Sequence, residues 1–159
     1  MLRVSKLTDY ATVILTHIGH QPNVVHAATD ITKETGVALP TVSKVLKLLT
    51  KDNILISKRG SHGGYLLAKP PSETNIATII MAIEGPISMT ECSTEAGICE
   101  QESSCEIKGN WNLINRAVYA ALEAVTLADL LEPANQQMVK LSFPSGSKKH
   151  VSNELKVEN

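Results

Sequence analysis

The chain has 159 residues, 43% of them hydrophobic, as expected for a small globular protein with one buried core. No apolar run reaches the roughly 18 residues needed to cross a membrane, and the N-terminus lacks the apolar segment of a signal peptide. We therefore expect a cytoplasmic protein without a membrane partner, and the formal net charge of −1 excludes a strongly basic or acidic chain.

The charges are unevenly distributed along the chain. Residues 1–69 hold nine Lys and Arg against four Asp and Glu, whereas residues 70–132 hold two against ten. This asymmetry suggests that the first part of the chain meets a polyanion and the middle part does not. A chance imbalance on a solvated surface would give the same counts, so charge alone does not establish a nucleic-acid partner.

Three helices are predicted at the start of the chain. Apolar residues at helical spacing indicate a helix up to Gly19, a second over about 27–35 and a third over about 40–51. Gly36 suits the end of the second helix, and Pro40 suits the first turn of the third. The buried stripe predicted for the third helix is Val42, Val45, Leu46 and Leu49. Two helices joined by a glycine-containing turn form a helix-turn-helix.

A β-hairpin is predicted directly after the third helix. Two short strands, at about 54–57 and 65–68, flank the glycine-rich segment RGSHGG at residues 59–64. A hairpin in this place is typical of the wing of a winged-helix domain. Pro70 and Pro71 then interrupt regular structure, so residues 1–71 are predicted to form the DNA-binding domain.

The second part of the chain, residues 72–132, is predicted to hold two further helices and a loop. Thr74 or Asn75 can cap a fourth helix that Gly85 and Pro86 end. Its apolar positions are Ile76, Ile79, Ile80 and Ile83. A loop over about 88–109 leads to a long helix over about 110–124 that continues or restarts to Leu131. The apolar positions of the long helix are Trp111, Ile114, Val118, Ala121, Leu122 and Val125.

The tail at residues 133–159 is polar and lacks a periodic apolar stripe, so we expect it to be disordered. The predicted fold is therefore mainly α with a small β-hairpin: a winged helix-turn-helix followed by a long helix.

The third helix carries candidate DNA contacts on the face opposite its buried stripe. In a helix-turn-helix the second helix enters the major groove, and its N-terminal residues reach base edges. Hydroxyl groups can bond to base edges, and Lys can reach guanine or phosphate. The candidates are Pro40, Thr41, Ser43, Lys44 and Lys47. An ordinary solvated helix face would show a similar composition.

The wing adds three basic candidates, Lys58, Arg59 and His62, on a tip whose glycines allow close approach. An Arg on a thin hairpin can enter the narrow minor groove, where the negative potential is strongest. The alternative is a plain turn with a basic pair. Only five aromatic residues occur in the chain and none is interleaved with basic residues, which argues against base stacking on single strands. Double-stranded DNA is the expected partner.

All three cysteines of the chain, Cys92, Cys99 and Cys105, lie in the acidic stretch ECSTEAGICEQESSC. Thiolates bind soft metals and iron–sulfur clusters, and the paired spacing of a zinc site is absent. A reversible disulfide switch and three free thiols in a flexible loop are the alternatives. The neighbouring glutamates disfavour a reactive free thiolate, which favours a cluster. We find no catalytic triad, phosphate-binding loop or acid–base pair, so we expect neither an enzyme nor a small-molecule substrate.

Several motifs together resemble the Rrf-two family, the IscR/NsrR-type winged-helix iron–sulfur regulators of bacteria. They are LTDYA at 7–11, SKRGSHGGYLLAKPP at 57–71, AIEGP at 82–86, and the cysteine loop with ISMTECS at 87–93. The resemblance covers residues 1 to about 132 and is closest to members that control iron–sulfur assembly of the SUF system.

The resemblance implies a homodimer, in which the Trp111 helix crosses its twin, and a palindromic operator. Pro40, Ser43 and Lys44 match base-contacting positions of the family, and Arg59 matches its minor-groove arginine. By the same resemblance, Cys92, Cys99 and Cys105 are the cluster ligands.

Two positions bear on the identity of a fourth ligand, and only Asp9 is a candidate. Lys108 stands where some members have a ligand His, so a cluster type does not carry over from them and [2Fe–2S] and [4Fe–4S] both stay open. Asp9 matches an acidic ligand that other members supply from the partner subunit, although an aspartate in this place could equally cap the first helix.

The function expected from the residues and the resemblance is a cluster-binding transcriptional repressor of iron–sulfur assembly genes. One alternative is a regulator that responds to thiol oxidation or to nitric oxide. Another, of a different class, is an iron–sulfur carrier or redox protein that does not bind DNA.

Overall fold

The computed structural model describes residues 3–91, 99 and 104–133 of the chain. Cys92, most of the cysteine loop and the tail from residue 134 lie outside the described residues, so the predicted disorder of the tail stays a prediction. The elements are α1 (Lys6–Gly19), α2 (Ala28–Thr35), α3 (Leu39–Lys51), β1 (Leu55–Lys58), β2 (Gly64–Leu67), a 3-10 turn (Pro71–Glu73), α4 (Ile76–Glu84), α5 (Lys108–Glu123) and α6 (Leu127–Leu131). None of the helices described is long and apolar enough to span a bilayer.

Helix α1 is the centre of the core and contacts α2, α3, α4 and α6. Ser5 caps the helix, because its hydroxyl oxygen accepts a hydrogen bond from the Thr8 N–H at 3.3 Å. The side chains buried along one face are Ala11, Ile14, Leu15 and Ile18. Each fully buried Ile or Leu side chain in this set contributes roughly 1.5–3 kcal/mol to stability. The first helix, predicted to end at Gly19, is confirmed.

Helices α2 and α3 form the predicted helix-turn-helix. The chain leaves α2 at Gly36, whose φ of 71° lies in the left-handed region that glycine adopts without strain. Helix α3 then begins at Leu39, with Pro40 in its first turn. Its inward face buries Val42, Val45, Leu46 and Leu49 completely, as the sequence predicted.

Strands β1 and β2 form a two-stranded antiparallel hairpin in which Leu55 pairs with Leu67 and Lys58 pairs with Gly64. Both strands lie one residue nearer the tip than predicted, because the pairing extends to Lys58 and Gly64. Leu55 and Leu67 are buried in the core and anchor the base of the hairpin. Gly60, at φ 114°, makes the tip turn.

Helix α4 is capped by Asn75, whose side-chain oxygen accepts from the Thr78 N–H at 2.8 Å. Of the two predicted caps, Asn75 is therefore the one observed, and α4 ends at Gly85 with φ 89°. Two backbone bonds fix α6 beside α4: Ile76 N–H donates to Val125 O at 2.9 Å, and Leu127 N–H donates to Thr74 O at 2.7 Å.

Of the two sequence alternatives after residue 124, the structure has a helix that restarts. Thr126 begins α6 with a capping box, and its hydrogen bonds lower the pKa of the Asp129 carboxyl. Leu127 is fully buried in the same core as α1, so this core includes residues on both sides of the predicted domain boundary at residue 71. The boundary stays a prediction.

Helix α5 begins at Lys108, two residues earlier than predicted, and packs against α4. Trp111, Val118 and Leu122 are half-buried, whereas Leu113 and Ile114 are 60% and 42% exposed. Ile114 was predicted to belong to the apolar stripe, and in this chain alone it faces outward. An amphipathic helix with exposed aliphatic residues therefore borders the cysteine loop.

Candidate nucleic-acid interface and cysteine loop

The outward face of α3 presents the predicted DNA contacts. Pro40, Lys44 and Lys47 are exposed, and Thr41 and Ser43 are half-buried. The two lysines make no ion pair with any other described residue, so their ammonium groups are available to an external anion. The buried stripe on the opposite side fixes the orientation of this face. The structure thus brings these five predicted residues together on one helix.

The wing tip carries the other three predicted contacts, Lys58, Arg59 and His62, and all three are exposed. A Cβ at Gly63 would lie 2.5 Å from the Lys58 carbonyl oxygen, so the tight tip requires glycine there. Within the part of the chain that the structure covers, none of these side chains is in a salt bridge. The hairpin is therefore a thin basic projection beside α3.

His26 holds the base of the wing hairpin, a contact that no pattern in the sequence indicated. The backbone N–H of His26 donates to the Tyr65 carbonyl oxygen at 2.8 Å, and the His26 carbonyl oxygen accepts from the Tyr65 backbone N–H at 2.9 Å. A Cβ at Gly64 would lie 2.4 Å from His26 O, so only glycine allows this approach. The segment between α1 and α2 thus adds a third backbone partner to the hairpin and holds it against the helices.

His26 is 9% exposed, and the Nε2 atom of its ring lies 3.2 Å from Gln21 O. The ring of His17 meets it edge to face, with centroids 5.2 Å apart. Burial, and then the neighbouring His26, lower the pKa of His17, because both disfavour the charged imidazolium. This pair is part of the packing under the wing.

Glu84 links the start of α1 to the end of α4. Its Oε1 atom accepts hydrogen bonds from the Thr8 hydroxyl and from the Ser5 N–H, the latter at 2.8 Å. These bonds, the Thr8 bond first, lower the pKa of the Glu84 carboxyl. Asp9 is exposed one residue further along α1; because Ser5 is the cap, Asp9 does not cap the helix.

The entrance of the cysteine loop is attached to α5 by Asn115. Its amide Nδ2 donates to Ile87 O at 3.2 Å, and its Oδ1 accepts from Met89 N–H at 3.1 Å. The first residues after α4 are therefore held on the long helix. In the sequence, this contact was indicated only by the presence of an asparagine within the predicted long helix.

Cys99 and Cys105 are free thiols, both half-buried, and Cys92 lies outside the described residues. Among the residues the structure describes, no three His, Cys, Asp or Glu side chains are close enough together to hold a metal ion. The structure therefore does not bring Asp9 together with the two described thiols within one chain. Soft, accessible thiols without a disulfide do suit thiolate ligation.

Comparison with known proteins identifies the family of this chain. Residues 4–133 match the family described as Rrf2, iron-dependent transcriptional regulator. The chain is 27% identical over 135 residues to protein rrf2 of Nitratidesulfovibrio vulgaris, covering 84% of this chain and 90% of that protein. It is 29% identical over 102 residues to the transcriptional regulator IscR of Serratia proteamaculans, covering 64% of this chain and 62% of IscR.

Among solved structures, CymR, the global cysteine regulator of B. subtilis, has 25% sequence identity and a TM-score of 0.65. The superposition covers 82% of this chain and 97% of CymR. The predicted winged-helix fold and the family resemblance are confirmed, and so is the expectation of a regulator in place of an enzyme. Membership of a regulator family does not support a carrier that lacks DNA binding. The chain belongs to the Rrf2 family of winged-helix transcriptional regulators.

Proposed function

We propose that this chain is a cytoplasmic repressor of iron–sulfur assembly genes whose DNA binding depends on a cluster held by its cysteine loop. One observation carries the proposal. The loop that bears all three cysteines leaves α4, which packs on α1 and α3, and returns into α5. A change at the loop therefore acts on the helices that position the DNA-contacting face.

The residues that would hold the cluster are Cys92, Cys99 and Cys105, with Asp9 of the partner subunit as fourth ligand. Cys99 and Cys105 fit this role because their thiols are free and half-buried. The exposed carboxylate of Asp9 is available to a second chain. A [2Fe–2S] or [4Fe–4S] cluster would supply a centre sensitive to oxidation and to nitric oxide.

The proposal includes a homodimer formed through α5. Leu113 and Ile114 are exposed on this helix, and large aliphatic side chains in such a position favour burial against another chain. Beside α5 lies a cleft of about 390 Å³ whose lining from three segments is mostly apolar but also includes Arg3, Glu84 and Ser88. The apolar side chains include Val4, Ile80, Ile87, Val118 and Leu122. In such a dimer, two DNA-binding domains related by a twofold axis would bind a palindromic operator with half-sites about 34 Å apart.

The DNA-binding unit is proposed as residues 1–71, and residues 72–132 as the part for ligation and dimerisation. The proposed contacts are Pro40, Thr41, Ser43, Lys44 and Lys47 on α3 and Lys58, Arg59 and His62 on the wing. Glu84 is one polar connection between the two parts, since it bonds to the first turn of α1 and immediately precedes the segment that leads to the cysteines. Movement of that segment is passed to α1 through this carboxylate.

Anaerobic purification tests the proposal. We expect a coloured protein that contains iron and acid-labile sulfide, runs as a dimer, and enriches palindromic duplexes from a randomised pool. A protein that stays colourless and free of iron and sulfide after reconstitution would contradict the cluster. A protein that contains iron but enriches no duplex would contradict the regulatory role.

A thiol-based redox regulator is the second candidate. The free, half-buried thiols of Cys99 and Cys105 favour it, because such thiols can oxidise. It predicts operator binding that changes when the iron-free protein forms a reversible disulfide. The cluster proposal predicts that the iron-free protein binds the operator equally before and after its thiols are oxidised.

A further inference from the structure

We infer that the cleft between α3 and the wing hairpin binds a backbone phosphate of duplex DNA. The cleft has a volume of about 340 Å³ and is lined by Lys47, Thr50, Lys51, Ser57 and Tyr65. Lys51, Ser57 and Tyr65 are not among the DNA contacts predicted from the sequence. This phosphate site rests on the DNA-binding function proposed for the chain.

The basic side of the cleft is a continuation of the DNA-contacting face of α3. Lys44, Lys47 and Lys51 recur at i, i+3 and i+7, so they lie along one side of the helix. All three are exposed, and none is in a salt bridge with another described residue. Lys51 therefore extends the charged stripe to the last turn of α3.

The hairpin supplies hydroxyl groups on the opposite side of the cleft. Ser57 and Tyr65 are paired directly across β1 and β2, so their side chains share one face of the hairpin. Tyr65 packs against the core and its backbone is bonded to His26, which fixes its position. Serine and tyrosine hydroxyls donate to phosphate oxygens, and such bonds position a protein on a duplex without reading sequence.

The path of duplex DNA explains why a phosphate would lie in this cleft. The first turn of α3 enters the major groove, which is about 12 Å wide, and the wing reaches the adjacent minor groove. One sugar–phosphate strand separates these two grooves, so it has to pass between α3 and the hairpin. At a rise of 1.5 Å per residue, Lys51 lies about 16 Å from Pro40 along the helix axis. Because this distance exceeds the width of the major groove, we place Lys51 at the edge of the groove when the first turn is inserted.

The salt dependence of DNA binding tests this phosphate site. Dissociation constants are measured over a salt series for wild type and Lys51→Gln, on a duplex selected by wild type and on an unrelated duplex of equal length. Each lysine released from a phosphate lowers the slope of log K against log salt by about 0.9 in magnitude. We expect this reduction for each bound subunit, together with weaker binding on both duplexes.

Lys69→Gln is the matched control, because it removes the same charge from an exposed lysine elsewhere. Lys69 lies beside Asp52 and Glu73 in a different cleft at the base of the hairpin. We expect its salt slope to equal that of wild type. Lys51 also suits the last turn of a helix electrostatically, but lost helix stability would lower the melting temperature and leave the salt slope unchanged.

A second variant tests the hydroxyl side independently. Ser57→Ala combined with Tyr65→Phe should weaken binding about tenfold on both duplexes and leave the salt slope unchanged, because a neutral donor releases no counterion. A wild-type slope in Lys51→Gln would overturn the phosphate site, and so would a loss confined to the selected duplex. Failure of wild type to bind any duplex would instead contradict the proposed function.

Discussion

Arg59→Ala should weaken operator binding by about 1–3 kcal/mol, which corresponds to roughly 5- to 150-fold in the dissociation constant. The side chain is exposed at the wing tip and makes no salt bridge with other described residues, so its loss removes no described ion pair. Fluorescence anisotropy with a duplex selected by wild type measures the change, and the melting temperature should stay constant.

Arg59→Lys separates charge from shape at the same position. A narrow minor groove attracts any cation, but the planar guanidinium fits it better than a strongly hydrated ammonium. We therefore expect Arg59→Lys to bind with an affinity between those of wild type and Arg59→Ala. Unchanged affinity in Arg59→Ala would rule out a base or groove contact by this arginine.

Cys105→Ala should abolish stable cluster binding while the chain stays a folded dimer, and Cys99→Ala should do the same. Each substitution removes a thiolate ligand, and both cysteines lie outside the buried core. Iron and acid-labile sulfide are measured after anaerobic reconstitution, and the oligomeric state by gel filtration.

Glu106→Gln is the control for these cysteine variants, because it changes the exposed residue next to Cys105 without removing a thiol. It should keep the iron and sulfide content of wild type. A cysteine variant that retains a full cluster would exclude that thiol as a ligand. Variants that unfold or become monomers would show that the thiols hold the fold together.

The helix-turn-helix could be predicted from the sequence because its signals are local. The buried stripe Val42, Val45, Leu46 and Leu49 follows the helical repeat, and the structure buries all four. Gly36 and Pro40 mark the end of α2 and the start of α3 through their own backbone preferences. The exposed face of α3 followed directly, since it is the face that the stripe leaves open.

Long-range contacts could not be predicted in the same way. Glu84 bonds to Ser5, which is 79 residues away, and no local pattern announces which carboxylate will meet which helix start. The bonds between His26 and Tyr65 are backbone bonds and leave no side-chain signature. The start of a new helix after Thr126 likewise depends on backbone pairing between Thr126 and Asn75, which precedes α4.

The candidate site likewise has a part that local sequence signals predict and a part that depends on long-range contacts. The exposed lysines of α3 and the basic wing tip were identified from type and spacing, and the structure places them on neighbouring surfaces. The cleft that Lys51, Ser57 and Tyr65 line was not predicted, because these residues come together only when the hairpin folds back on α3. The role of Asp9 as a ligand from a second chain came from the family resemblance alone and stays a prediction.

The dependence of DNA binding on the cluster is tested most directly by two affinity measurements on one preparation. Operator affinity is measured with the iron centre in place, and again after its removal under reducing conditions. Coupling between two sites is typically 1–3 kcal/mol, so we predict that the two dissociation constants differ about 5- to 150-fold. Equal constants for a protein that demonstrably held iron before stripping would contradict a switch in which the cysteine loop governs DNA binding.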